Sequence, residues 1–192
     1  MLETENPASK AHRLFTVGHS NRSLDNLLDL LHNYRIKQLI DVRSTPNCQG
    51  FSIFNRSSLA ATLEEEDIAY AWLGHELGGQ RRSKLQSPHQ ALATDGFRAY
   101  ADHMSSNVFM DGINHLTNIA SQTTTVIMCA EREASQCHRS LIADYLLLKH
   151  WHITHLLDIN HSQEHILNPL ARSYQDQLVY DQLGQEQLNL SL

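Results

Sequence analysis

Apolar residues in this chain come in short blocks, separated by stretches whose apolar positions recur every three or four residues. RLFTVGH (13–19) is a strand-like block. In SLDNLLDLLHNYR (23–35), Leu24, Leu27, Leu28 and Leu31 share a helical face behind Ser23, a suitable N-cap. KQLIDVRSTP (37–46) buries Leu39, Ile40 and Val42 and stops at a polar turn with Pro46, after which RSSLAATLEEEDI (56–68) reads as a helix. AYAWLG (69–74) is a third strand. HELGGQRRSKLQSPHQALATDG (75–96) reads as a loop by its glycines, proline and charges, and a loop of about 20 residues in a compact domain is usually functional or mobile. FRAYADHM (97–104) and NVFMDGINHLTNIASQ (107–122) predict two helical segments and TTTVIMCA (123–130) a fourth strand. CHRSLIADYLLLKHW (137–151) predicts an apolar helix and HITHLLDI (152–159) a fifth strand.

Strands separated by helical crossovers predict an α/β fold: a mostly parallel sheet of about five strands with helices on both faces, a three-layer, Rossmann-like or rhodanese-like arrangement. The expected organisation is a flexible start (1–12), a single domain (13–160) and an extension from 161 to 192. That extension is rich in Gln and Asn and reads as a helix or a loose tail. In such folds ligands bind outside the carboxyl ends of the strands. Those ends carry Gly18, His19 and Ser20, then Asp41, Val42 and Arg43, then Gly74, His75 and Glu76, and finally Cys129, Ala130 and Glu131. A shared polar pocket on that edge is the economical reading, against unrelated loop groups that merely face the same way.

Composition narrows the setting. A chain of 192 residues suits one domain, burying roughly 70% of the surface its unfolded form exposes. No apolar run approaches the roughly 20 residues of a membrane span, and the polar, acidic start lacks the basic-then-apolar order of a secretory signal, so a cytoplasmic protein is expected. The net charge of -6 offers no global attraction to nucleic acid; the one basic cluster is GGQRRSK (78–84). Three cysteines are too few, and odd in number, for a disulfide framework, so reduced thiols are expected. The oligomeric state stays open.

Two of the three cysteines fall in MCAEREASQCHRS (128–140), where a buried strand hands over to a helix. Cys137 falls near the first turn of that helix, where free backbone N–H groups and positive neighbours such as His138 and Arg139 favour a thiolate. A buried structural role competes for both Cys129 and Cys137, since cysteine packs as a small hydrophobe. A third reading is zinc on Cys129, Cys137 and His138, with His19, His75, His103 or Glu131 in reach, although the spacing is unlike that of structural zinc modules. The loop of cysteine phosphatases is excluded, because the sixth residue after Cys129 is Ser135 and after Cys137 is Ala143, where an arginine would be needed. Cys48, in PNCQGF, reads as incidental.

TVGHSNRSLDNLLDLL, LIDVRSTP, FNRSSLAATL, LGHELGG, FRAYADHM and MCAEREASQCHRSLIADYL together resemble the bacterial family catalogued as domain of unknown function 488, over about residues 14–158. The resemblance implies a compact α/β domain whose motifs are matched here by Gly18, His19, Ser20, Asp41, Arg43, Asn55, Arg56, Leu77, Gly78, Gly79, Cys129, Glu131, Cys137, His138 and Arg139. LIDVRS, then VIMCA, then RSLIADYLLLKHW is also similar in order to rhodanese sulfurtransferases, which implies Cys129 as sulfur carrier. The intervening loop departs by its length and by Cys137, Glu131 and Glu133, and acidic groups oppose an anionic thiosulfate.

The expectation is therefore a cysteine-dependent enzyme acting on a small anionic substrate or sulfur donor, with no cofactor. Cys129 is the expected nucleophile or sulfur carrier, Cys137 its resolving or low-pKa partner, and Glu131 and His19 the acid/base candidates. Arg43, Asp41, Arg139, His138, Ser20, Asn55, Arg56, Gly78 and Gly79 are the candidate substrate contacts. Competing structural roles are an Asp41–Arg43 brace, helix capping by Asn55 and Arg56, and a hydrogen-bonded His19. The rival reading is a non-catalytic module gripping a nucleotide or nucleic acid through Arg43, Arg56, Arg81, Arg82 and Arg139.

Overall fold

The computed structural model describes residues 12–47, 52–175 and 177–182. Cys48 and nearly all of the 1–12 segment lie outside the described residues. Strands β1 (Arg13–Gly18), β2 (Gln38–Asp41), β3 (Ala69–Trp72), β4 (Thr125–Cys129), β5 (His152–Asp158) and β6 (His161–Glu164) form one sheet in the order β3-β2-β4-β1-β5-β6. The first five run parallel, and β6 adds antiparallel to β5. The helices are α1 (Leu24–Asn33), α2 (Arg56–Glu65), α3 (Gly74–Leu77), α4 (Asp95–His103), α5 (Asn107–Ala120) and α6 (Arg139–Leu148).

The helices bury the sheet from both sides, which is why β2 and β4 are buried along their whole length and β1 all but its first residue. On one face Leu27 and Leu31 of α1 and Leu59 and Leu63 of α2 pack with Phe15, Val17, Leu39 and Met128. On the other, Tyr100 of α4, Phe109 and Leu116 of α5 and Leu141 of α6 pack with Leu14, Ile40 and Ile127. Side chains alternate across a strand, so Thr16 shares the α6 side of β1 with Leu14. Ser23 caps α1 as expected, its side chain accepting from the Asn26 N–H at 3.1 Å. The architecture is the α/β sandwich the sequence pattern indicates.

Two segments differ from that pattern. The loop expected over 75–96 opens with the short α3, because Leu73 and Leu77, four apart, both bury their side chains. The described residues after 160, expected as a helix or loose tail, include strands: β6, then a separate ribbon of β7 (Ala171–Tyr174) and β8 (Gln177–Tyr180), while 183–192 lie outside the described residues. Leu178 and Tyr180 are buried two residues apart, a strand period, and the Tyr180 hydroxyl donates to Asp144 Oδ2 at 2.9 Å, which ties the ribbon to α6. Among the described residues no helix is long and apolar enough to cross a membrane.

Candidate functional site

The parallel register brings the strand ends level. Gly18 pairs with Cys129, the His19 N–H donates to the Cys129 carbonyl at 3.0 Å and the Ser20 N–H to the Ala130 carbonyl at 2.8 Å. The Val42 N–H donates to Met128 O at 2.9 Å. The chain leaving β4 crosses directly over the end of β1, and a Cβ on Gly18 would stand 1.9 Å from the Glu131 carbonyl oxygen, so only glycine fits there. At this edge lies a cavity of about 370 Å³, within the range of small-molecule sites, lined by Arg43, Gly79, Cys129, Glu131, Cys137 and His138 with several neighbours.

Cys129 ends β4. A 3-10 turn over Ala134–Gln136 then returns the chain so that Cys137 and His138 immediately precede α6. Both thiols are buried and unpaired as disulfides. His138 Nε2 lies 3.2 Å from the Val42 carbonyl. A carbonyl only accepts, so Nε2 carries a hydrogen and Nδ1 faces the sulfurs. Nδ1 is 3.7 Å from Cys137 Sγ and 3.9 Å from Cys129 Sγ.

Arg139, 1% exposed, points inward. Its Nε–H donates to Cys137 Sγ at 3.3 Å, and the rest of the guanidinium binds Thr16 Oγ1 at 3.1 Å, Arg132 O at 3.3 Å and the Glu131 carbonyl. These donors decide which sulfur ionises. The Cys129 thiol donating to Cys137 is the largest influence holding Cys137 well below the usual thiol range; contacts with His138 and the Arg139 charge reinforce it and outweigh burial. Cys129, as the donor in that pair and itself buried, is pushed far up. The arrangement thus favours the anionic form on Cys137 over Cys129. The donor atoms of Cys129, Cys137 and His138 lie within 4.8 Å of one another, so these three could hold a thiophilic metal ion, with no fourth His, Cys, Asp or Glu joining them among the described residues.

Behind the cavity wall sits a second cluster. Asp41, fully buried, accepts from Arg43 Nε at 2.9 Å, Arg43 Nη2 at 2.6 Å, the Arg43 backbone N–H at 3.0 Å and the Tyr70 hydroxyl at 2.8 Å. Arg43 also donates to the Phe54 carbonyl at 2.8 Å and to His19 Nε2 at 3.2 Å. His19 donates from Nδ1 to the Ser20 carbonyl at 3.1 Å and stacks on Phe54 with ring centroids 4.5 Å apart. Burial, with Arg43 beside it, lowers the His19 pKa from 6.5 to about 4, so the ring is neutral. Both of its nitrogens are engaged within this cluster.

Of the residues singled out by sequence, Cys129, Cys137, Glu131, His138, Arg43 and Gly79 meet around the cavity, while Asp41, Arg139 and His19 stand behind its wall. Ser20, Asn55, Arg56 and Gly78 do not line it. Asn55 occupies the N-cap position of α2, and the Arg56 guanidinium lies 4.8 Å over the Trp72 ring. Sequence reasoning missed Ser44, Thr45, Gln80, Thr94 and Gln136, which also line the cavity. Ser44 and Thr45 simply continue the end of β2 past Arg43, a signal the sequence contains. Ser44 also accepts from the Gln80 N–H at 2.9 Å, which fastens the glycine-bearing segment over the cavity.

Comparison with family models matches residues 23–146 to "Domain of unknown function DUF488". Neither a curated protein nor a solved structure matches the chain.

Proposed function

The chain belongs to the DUF488 family, and from the geometry of the site we propose a cysteine-dependent enzyme that binds a small anionic substrate at the carboxyl edge of the sheet. Cys137 is its nucleophile and Cys129 the second thiol, the reverse of the roles expected from sequence. The observation that carries this reading is the buried Arg139 Nε–H on Cys137 Sγ at 3.3 Å, a cationic donor spent on a sulfur inside the wall of a ligand-sized cavity.

Sulfur transfer fits this arrangement best. The Cys137 thiolate attacks the outer sulfur of a small persulfide R–S–SH, a Cys137 S–S bond forms and the S–S bond of the donor breaks. The fragment leaves as R–S⁻ and the terminal proton stays on the new Cys137 persulfide, so charge and electrons balance. Glu131 on the cavity lining disfavours doubly charged thiosulfate and favours a singly charged or neutral donor. His138 Nδ1 is placed to take a proton from Cys129 when that thiol acts in turn. The nucleic-acid reading has less support: of its five arginines only Arg43 lines the cavity, and Arg81 is spent on the carbonyls of His75, Glu76 and Gly78.

The test is intact-mass spectrometry of the native, reduced protein and of Cys129→Ser and Cys137→Ser. Each is exposed to a low-molecular-weight persulfide and, separately, to limiting iodoacetamide, with metal content measured on the same preparations. A single sulfur adduct and fast alkylation, both lost in Cys137→Ser, are the expected result. Thiols that react only after denaturation, or a stoichiometric thiophilic metal whose removal is needed before Cys137 reacts, would overturn the proposal.

A further inference from the structure

Thr16, Asp144 and His155 are polar side chains almost wholly shut away from solvent, in the interior between β1, β5 and α6. A buried polar group must find partners, so where their hydrogen bonds go is a question with a definite answer. Asp144, as a carboxylate, can only accept. It takes Nε2–H of His165 at 3.0 Å and the Asn168 N–H at 2.9 Å on Oδ1, and the Tyr180 hydroxyl at 2.9 Å on Oδ2. With its one hydrogen on Nε2, the imidazole form of His165 presents Nδ1 as an acceptor, and His155 Nε2, 3.0 Å away, is then the donor. His155 Nδ1 is then an acceptor, and the Thr16 hydroxyl 2.8 Å from it donates. That leaves the Thr16 oxygen to accept from Arg139 Nη1 at 3.1 Å. A guanidinium can only donate, so with His165 as the imidazole the same direction runs through every link from Arg139 to Asp144.

We propose that Asp144, His165, His155 and Thr16 form a buried positioning relay that holds the Arg139 guanidinium on Cys137, an inference that rests on Cys137 being the thiolate of the site. The relay orients and does not carry protons, because arginine does not give up its proton in proteins. A run of hydrogen bonds pointing one way polarises each member, which strengthens the last link to Thr16 and so fixes the plane of the guanidinium. Arg139 Nε is then aimed at sulfur with no freedom to turn toward the cavity. The His155 ring is suited to its place: burial first, then His165 and Arg139, lower its pKa from 6.5 to about 4, so Nδ1 stays an acceptor for Thr16. The outer part of the relay, Asp144, His155 and His165, lines a separate cavity of about 290 Å³ and does not line the cysteine cavity. These are positioning residues that act through Arg139. The charged and titratable groups around Cys137 are Cys129 from β4, His138 and Arg139 at the start of α6, Tyr100 from α4 and His155 from β5, with Arg43 and Glu131 on the shared cavity.

The experiment follows thiolate absorbance in the ultraviolet against pH, with Cys137→Ser as the blank, for wild type, Thr16→Val, Thr16→Ser and His165→Leu. Valine keeps the shape of threonine but neither accepts from Arg139 nor donates to His155; serine keeps the hydroxyl. The expected result is a Cys137 midpoint about one pH unit higher in Thr16→Val, roughly a tenfold loss of thiolate below it, restored in Thr16→Ser and partly reproduced in His165→Leu. A midpoint unmoved in both Thr16→Val and His165→Leu, in variants that melt cooperatively, overturns the relay. Alkylation on the same samples separates the two ideas: an inert Cys137 whose midpoint still shifts sinks the reactive-thiol proposal alone. A wild type with no Cys137 thiolate step below the ordinary thiol range overturns both.

Discussion

Two buried polar clusters meet at the same edge of the sheet and are built from similar parts. At the end of β2, Asp41 is surrounded by the Arg43 side chain, the Arg43 N–H and the Tyr70 hydroxyl, and Arg43 spends further donors on Phe54 O and His19. At the end of β4, Cys137 has one cationic donor, one thiol and one imidazole, and its cluster borders an open cavity. The first cluster is closed: the carboxylate's acceptor capacity is spent inside the protein, and what it achieves is to tie the end of β2 to the end of β1. The second favours an anionic sulfur on Cys137, desolvated, partly compensated and beside space for a ligand. An arginine beside an acidic partner at a strand end therefore says little about function until its donors are counted. Arg43 and Arg139 look alike in sequence, yet one braces a carboxylate and the other serves a thiol.

The largest effect that would sharpen this contrast comes from Asp41→Asn. It leaves the buried Arg43 charge uncompensated and should cost about 3–5 kcal/mol, read as a lower urea midpoint, while the thiolate midpoint of Cys137 stays put. An equal shift in the thiol would mean that the two clusters are one. Acid comes next and draws on both regions, since His19 belongs to the brace and His155 to the relay behind the thiol. Each has a folded-state pKa of about 4 against 6.5 for the free side chain. As pH falls from 6.5 towards 4 the unfolded chain binds two protons that the folded protein refuses, so stability is full above about 6.5 and declines below it. With both rings buried, the loss at about pH 5 is on the order of 2–4 kcal/mol, and urea unfolding at neutral pH and at that pH measures it.

Half of the brace is legible in the amino-acid sequence alone. Asp41 and Arg43 stand two apart on a strand, so a shared face and an ion pair follow from the period. The β-α alternation is legible for a related reason, since strands covered on both faces leave short, mostly apolar blocks such as LIDV and TVIM. The short separation of Cys129 from Cys137 makes a meeting at one strand end readable too. The direction of Arg139 is not, because a guanidinium next to a cysteine reads equally as an anion hook, a wall or a thiol partner. The relay is hidden by distance, 139 residues separating Thr16 from His155, and by pairing polar groups that carry no periodic signal. The strands after residue 160 escape for another reason: β6 is exposed along its whole length and held by backbone pairing to β5, which leaves no apolar pattern to read.

A smaller effect probes the open side of the thiol cluster. A Cβ on Gly79 would lie 2.6 Å from His138 Nδ1, so Gly79→Ala forces the ring to turn. The half-buried ring can yield, which puts the stability cost at about 1 kcal/mol, the low end for overpacking. A turned ring no longer presents Nδ1 to both sulfurs, so alkylation of Cys137 should slow while the thermal transition moves little. Unchanged alkylation would show that His138 is only a wall of the cavity.

The smallest effect tests a residue that belongs to neither cluster. Arg56 was an expected substrate contact, but its guanidinium lies 4.8 Å over Trp72, on an exposed side chain that does not line the cavity. Arg56→Gln removes that cation–π contact and should cost about 0.5–1 kcal/mol, the value for exposed pairs. Alkylation, persulfide loading and the thiolate midpoint should match wild type, because no hydrogen bond links Arg56 to Asp41, Cys137 or their partners among the described residues. Slower persulfide loading with an unshifted midpoint would place Arg56 on the path of the substrate and extend the functional edge past the cavity to the start of α2. Loss of stability alone would leave the reactive surface where the sulfur, its arginine and the cavity coincide.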